Sequence, residues 1–364
     1  MSNDARADGL RPVALGTGLL ALDVVYGAGA QEPLGRWAGG TCGNVLTILS
    51  FLGWSTYPVA RLGDDLPARV ICKDLATWDV HLDHVTLEAH GSTPVIIQYN
   101  QRALDGSATH RFSFHCPVCG SRMPGYRPVP SRAISNLIPT VPAAQLFFFD
   151  RISRGAIRLA AALRESGATV VFEPSSPGDP ELFREVLSVA HIVKFSQERW
   201  SRRAELPVLE SNWLQIETLG KDGLRFRSRL PSCTLKGWQQ IAGLHVDDVK
   251  DAAGSGDWCT AGIAAWLCSG GAEGLWRATG EQVLRALEQG QRLAAWNCGF
   301  EGARGGMYGE SRRTLTELTR DYSTASPFLR LIPRRQKRSG PASFDVATPL
   351  STESRCGSGD CHAL

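Results

Sequence analysis

Asp251-Ala252-Ala253-Gly254-Ser255-Gly256-Asp257 runs into an apolar stretch at 260–267, and this junction decides how the rest of the chain is read. Glycines at 254 and 256 leave the backbone amides bare, and a helix starting beyond them points its positive dipole end at the same place. The result is an anion site with a carboxylate, Asp257, at its rim. Phosphoryl transfer needs two such parts: amides that spread the charge of the migrating group, and an acid that takes a proton from the attacking hydroxyl. Taken alone, the string equally fits an ordinary helix N-terminus capped by Asp257.

Working outward, a second glycine turn, Gly39-Gly40-Thr41-Cys42-Gly43-Asn44, opens onto an apolar helix closed by Gly53. Before it a first strand is read over 13–26, with Asp23 near its end. Strands are expected at 57–62 and 80–85, with a helix over 67–77 between them. Segments 94–99 and 109–114 form a hairpin turned at Asp105-Gly106, a candidate lid. After a Pro-rich loop at 117–130 the alternation resumes: strands at 146–149, 169–172 and 192–195, with helices at 154–166 and 180–190. Strands at 213–218 and 224–227 precede the glycine junction, and a last amphipathic helix spans 281–297. Strand–helix alternation predicts an α/β fold with one continuous sheet rather than two domains.

Composition narrows the function. Of 364 residues, 39 Lys and Arg against 36 Asp and Glu leave a net charge of +3, too little to imply a polyanionic partner such as nucleic acid. Apolar residues make up 43%, enough for a sizeable core. No apolar run approaches the roughly 20 residues needed to span a bilayer, and the first dozen residues lack a signal-peptide pattern, so a cytoplasmic protein without membrane contact is expected. Ten Cys over this length are too sparse for a disulfide scaffold; Cys42, Cys72, Cys259, Cys268 and Cys298 read as packing thiols. Beyond residue 326 the composition turns to Pro, Ser and Arg without apolar period, so disordered ends at 1–12 and 327–364 are expected around a domain at 13–326.

The junction at 251–257 resembles the second signature of the ribokinase-like (PfkB) carbohydrate kinases, Asp-Thr-x-Gly-Ala-Gly-Asp followed by small residues such as Ala261-Gly262. The turn at 39–44, with Gly53 and with Gly63-Asp64-Asp65 after a strand, is similar to that family's first signature. Further matches are Asp23, Thr218-Leu219-Gly220-Lys221-Asp222-Gly223, and Gly302-Ala303. The resemblance covers roughly residues 13–310. It implies a mostly parallel central sheet flanked by helices with a small β lid, its segments at about 24–38 and 94–115. It implies ATP-dependent phosphorylation of a hydroxyl on a small sugar or sugar-like alcohol. Asp257 would then be the general base, and the amides of Gly254, Ser255 and Gly256 the anion hole. Asp23, Gly39, Gly40 and Asn44 would bind the acceptor, and Ser196, Thr218, Gly220 and Gln291 the nucleotide. Magnesium would arrive with ATP, the resemblance also admits a monovalent cation, and lid edges suggest a homodimer.

The chain departs from the family pattern at three places around the donor phosphates. The Asn-x-x-Glu motif that organises magnesium-bound phosphates falls on Ser196 and Arg199, Ala252 replaces the usual Thr, and Glu173-Pro174-Ser175 stands for Asp-Pro-Asn. Two alternatives therefore stay open, a nucleoside kinase and a non-catalytic sugar or nucleotide sensor. A dinucleotide-dependent oxidoreductase fails at its fingerprint, because no Gly-x-Gly-x-x-Gly follows the first strand. Finally, Cys116-Pro117-Val118-Cys119-Gly120 is half of a structural zinc site, a redox pair or a plain reduced loop. His110, His115, Cys356, Cys361 and His362 are the further zinc ligands on offer.

Overall fold

Segments that are apolar at nearly every position, 146–149 and 169–172 above all, mark strands covered on both faces, as parallel strands are. The computed structural model describes residues 11–104, 106, 108–176, 178–200 and 209–309. In chain order it begins with β1 (Val13–Thr17), β2 (Ala21–Tyr26), β3 (Pro33–Gly39), α1 (Thr41–Phe51), β4 (Ser55–Gly63) and α2 (Leu66–Thr77). There follow β5 (Val85–Glu88), β6 (Val95–Arg102), β7 (Ala108–Ser113), α3 (Ser131–Leu137), β8 (Leu146–Phe149) and α4 (Arg154–Glu165). Next come β9 (Thr169–Phe172), α5 (Pro180–Val189), β10 (Ile192–Ser196), α6 (Gln197–Trp200), β11 (Leu214–Thr218), β12 (Leu224–Ser228) and β13 (Gln239–Ile241). The described chain closes with α7 (Ser255–Leu267), α8 (Gly271–Trp276), α9 (Gly280–Asn297) and α10 (Gly305–Gly309).

The main sheet has nine strands in the order β13-β12-β11-β10-β9-β8-β1-β4-β5. Pairing is parallel from β11 to β5 and antiparallel at β11–β12 and β12–β13. A cluster including Leu15, Phe147, Phe149, Leu159, Val170 and Val186 joins the sheet to α4 and α5. A second cluster brings in α1, α7 and α9, where the fully buried Trp258 sets its ring edge-on to Phe51 and Trp296. Strand ends, α1 and α7 thus meet along one line, and the site lies there. Among the described residues, no helix is long and apolar enough to cross a membrane.

A separate four-stranded sheet, β3-β2-β6-β7, stands beside that line as the lid. The strand read over 13–26 is therefore two strands in two sheets. The break is at Gly18, where φ is +152° and a Cβ would lie 1.7 Å from Asp150 Oδ1. That carboxylate instead accepts from the Leu19 amide at 3.0 Å and turns the chain out of the main sheet. Asp23 consequently sits in the lid sheet rather than at the end of the first core strand. The strand expected at 80–85 begins only at Val85, because Asp79 (φ +62°) reverses the chain and the amides of Val80 and His81 go to Leu75 and Thr56 carbonyls. The helix expected from 260 starts at Ser255, which places Asp257 inside its first turn rather than on a loop. The turn residue Asp105, and nearly all of the two ends expected to be disordered, lie outside the described residues.

Candidate functional site

Gly254 caps α7 in the left-handed region (φ +73°, ψ −6°), and a Cβ there would come within 2.2 Å of the Ala303 carbonyl oxygen. Only glycine fits; the Ser255 amide that follows donates to the Ala252 carbonyl at 3.2 Å, and the amides of Gly256 and Asp257 come next in the first turn of α7. Asp251 holds this turn from behind. Its Oδ1 accepts from Ala253 N at 2.8 Å, and its Oδ2 from Gly302 N at 3.0 Å and from Gln98 Nε2 on the lid at 2.6 Å. His110 Nδ1, also on the lid, lies 3.3 Å from Oδ1 without forming a hydrogen bond. Burial alone would raise the Asp251 pKa; the neighbouring His110 and the Ala253 and Gly302 amides outweigh it and hold the group below the usual carboxylate range.

Asp257 is buried, and its Oδ2 accepts from Asn44 Nδ2 at 2.8 Å. Burial first, then the negative charge of Glu173, pushes its pKa up to about 7; the Asn44 hydrogen bond and the charges of Lys194 and Arg199 oppose the rise. A base poised near neutrality suits proton abstraction from an alcohol. Beneath it Lys194 Nζ donates to Glu173 Oε1 at 2.9 Å and to the Gly256 carbonyl at 3.2 Å, and Thr260 Oγ1 donates to the other Glu173 oxygen. The pair is almost completely enclosed.

Asn44 is itself oriented. Its Oδ1 accepts from Arg304 Nε at 3.1 Å, so both ends of the amide are engaged within the protein. Arg304, 3% exposed, also donates to the Ala38 carbonyl and, at 2.8 Å, to Asp74 Oδ2, and Tyr308 OH donates to Asp74 Oδ1 at 2.9 Å. Asp23 lies directly across the β2–β3 ladder from Trp37. Burial raises the Asp23 pKa to about 7 against the pull of Arg304 and the Gly40 amide.

Of these groups Asp23, Asn44, Glu173, Lys194 and Asp257 line a cleft of about 1640 Å³. On its wall stand Asp23, Gly40 and Asn44, the run Gly254, Ser255, Gly256 and Asp257, and Ser196, Thr218, Gly220 and Gln291. Gly39 lies off the wall, ending β3 opposite Ala21. Cys116 is buried and Cys119 exposed, and neither lines the cleft. Among the described residues no three His, Cys, Asp or Glu side chains are grouped to hold a metal; Cys356, Cys361 and His362 lie outside them. On the donor side, the position expected to carry a metal-organising Glu carries Arg199, and both oxygens of Glu173 are taken. These residues do not fit a protein-held magnesium. The amides at the head of α7 do fit a phosphate, with Gly254 admitting it closely.

Sequence reading missed Arg304, Trp37 and Gln98, along with Lys194 as a partner of Glu173, and offered His110 only as a zinc ligand, whereas it stands beside Asp251. Lys194 did carry a signal, a lone cation inside an apolar strand, which demands a buried partner.

No family model matches the chain, and no curated protein matches it. Solved structures do. An aminoimidazole riboside kinase from Salmonella enterica, complexed with aminoimidazole riboside and an ATP analogue, aligns at a TM-score of 0.62 with 19% identity, covering 84% of this chain and 99% of that one. An Arabidopsis thaliana ribokinase complexed with ribose and ATP gives 0.62 and 19%, over 85% of this chain and 99% of that one. A Burkholderia thailandensis nucleoside kinase in complex with inosine gives 0.58 and 17%, over 86% and 96%. The chain has the ribokinase-like α/β fold expected from its two glycine signatures.

Proposed function

We propose that this chain is an ATP-dependent kinase that transfers a phosphoryl group to a hydroxyl of a small sugar or nucleoside, with residues 13–326 as its catalytic unit. The observation that carries this reading is the placement of Asp257. It lies in the first turn of α7, just after the Gly254 cap, bonded to Asn44 and on the wall of a cleft that Asp23, Thr218 and Gly220 also line. ATP lies along Ser196, Thr218, Gly220 and Gln291 with its terminal phosphate at the amides of 254–256. The acceptor lies against Asp23, Gly40 and Asn44 with one hydroxyl facing Asp257.

Asp257 takes the hydroxyl proton as the oxygen attacks phosphorus, while the α7 amides hold the equatorial oxygens of the migrating group. Asn44 keeps the carboxylate aimed, and Lys194 holds the Gly256 carbonyl so that the turn stays rigid. The lid strands β2, β3, β6 and β7 cover the acceptor and exclude water. The test is phosphate transfer, corrected for hydrolysis, across a panel of sugars and nucleosides, with Asp257→Asn as control. Transfer by the wild type and variant at equal rates would overturn the assignment. Arg199, at the position of a metal-organising acid, favours a second reading as a nucleotide- and sugar-binding sensor; binding without transfer across the same panel would select it.

A further inference from the structure

A smaller cavity of about 310 Å³ branches from the cleft behind Asp23 and Asn44. Val25, Trp37 and Tyr308 form much of its wall, with the Trp37 and Tyr308 rings 6.1 Å apart and tilted by 39°. Three buried polar atoms of its lining residues have no partner: Asp23 Oδ1, Trp37 Nε1 and Arg304 Nη1. Asp23 and Trp37 are paired across the β2–β3 ladder, the Asp23 carboxyl lying over Gly39 and the Trp37 ring over Gly35, and Arg304 is tied to Ala38, so all three residues border the one cavity. Two donors and one carboxyl oxygen left bare are costly unless a ligand pairs them.

We propose that the acceptor carries an amide that enters this cavity, its carbonyl accepting from Arg304 Nη1 and Trp37 Nε1 and its N–H donating to Asp23 Oδ1. The name acceptor rests on the kinase reading; the pairing itself does not. A carbonyl oxygen has two lone pairs for the two donors, and the neighbouring N–H supplies the hydrogen that the carboxyl oxygen lacks. A carboxylate fits worse. The Arg304 charge is already matched by Asp74 at 2.8 Å, and Asp23 faces the same space, so a further anion would be the third acid around one cation. A bare polyol leaves the aromatic wall without an apolar partner, whereas an acyl methyl or the face of a lactam ring covers it. Two sources share this chemistry, an N-acylated amino sugar and the lactam edge of a nucleoside base.

Calorimetric titration of Asp257→Asn, loaded with a non-hydrolysable ATP analogue, tests this without turnover. Matched ligands are N-acetylglucosamine against glucose, and inosine against adenosine, where the lactam becomes an amino-imine with donor and acceptor exchanged. Gluconate against glucose tests the carboxylate. In one pair the amide member binds at least about 10-fold tighter, as expected for two paired groups, and that pair names the source. Adding Trp37→Phe, which keeps the ring and removes the N–H, weakens the amide member about 3- to 10-fold, spares its match and leaves the melting temperature unchanged. Arg304→Lys disturbs Asn44 as well, so Trp37→Phe is the deciding variant. Equal binding within both amide pairs, gluconate binding tighter than every amide, or a Trp37→Phe loss shared by both members would each overturn the proposal. Phosphate transfer by the wild type to plain sugars without amide preference ends this inference and leaves the kinase reading standing; amide-selective binding without transfer does the reverse.

Discussion

Asn44 Nδ2 donates to Asp257 Oδ2 at 2.8 Å, joining the first turn of α1 to the first turn of α7 across most of the chain. The two glycine turns of the sequence thus meet at one hydrogen bond. That bond stabilises the ionised acid, and Arg304 fixes which end of the Asn44 amide points toward it.

Turnover is expected to depend on this acid. Asp257→Asn lowers kcat by about 10²-fold or more, the scale of a general base, with acceptor affinity retained. Because burial lifts the Asp257 pKa to about 7, kcat falls as pH drops below that value and levels off above it. Asn44→Ala removes the opposing hydrogen bond, so the limb moves to higher pH. A pH–rate profile of the three proteins checks all of this; an unmoved limb in Asn44→Ala would separate the base from its partner.

The same acid bears on stability. In the fold Asp257 keeps its proton up to about 7, against 3.8 for an ordinary Asp, so between these values the native state binds more protons than the unfolded chain. Its contribution is complete below the unfolded pKa and disappears as pH rises through the folded one. Asp257→Asn does not titrate. Its melting temperature relative to wild type therefore climbs from about pH 4 to about pH 7 and is flat beyond. A constant difference across that range would contradict the burial argument.

Lys194→Met leaves Glu173 enclosed with only the Thr260 hydroxyl. Loss of one partner from a buried pair costs about 3–5 kcal/mol. Lys194→Met combined with Glu173→Gln removes both charges and recovers most of that loss. Urea unfolding of the single and double variants measures the difference, and a double variant as unstable as the single would refute the pairing argument.

Gly254→Ala combines a left-handed residue, costing about 1–3 kcal/mol, with a Cβ 2.2 Å from the Ala303 carbonyl oxygen. The turn must shift, and the amides of 254–256 lose their aim. Thermal-shift titration with an ATP analogue is expected to lose its response in the variant while wild type keeps it; an unchanged response would remove these amides from the nucleotide site.

Much of this was legible in the sequence because it is local. The glycine at 254, the acid three residues on and the apolar helix behind them are one short string, and buried parallel strands are recognisable as apolar runs. What could not be read depends on distant partners. Nothing near Arg304 in the chain says that its guanidinium reaches Asn44, Ala38 and Asp74, each more than two hundred residues earlier. The break at Gly18 was hidden likewise, because the carboxylate that occupies the space of a Cβ belongs to Asp150, on the loop after β8. Periodicity alone ran two strands together where a tertiary contact separates them.

Asp251 is grasped from both sides, by the Ala253 and Gly302 amides of the turn and by Gln98 of the lid. Raising the lid must therefore uncouple Gln98 from the very carboxylate that braces the phosphate-facing turn. For the kinase proposed above, departure of the finished product and slackening of the grip on spent nucleotide would then be a single mechanical event, with no messenger between them beyond one shared side chain.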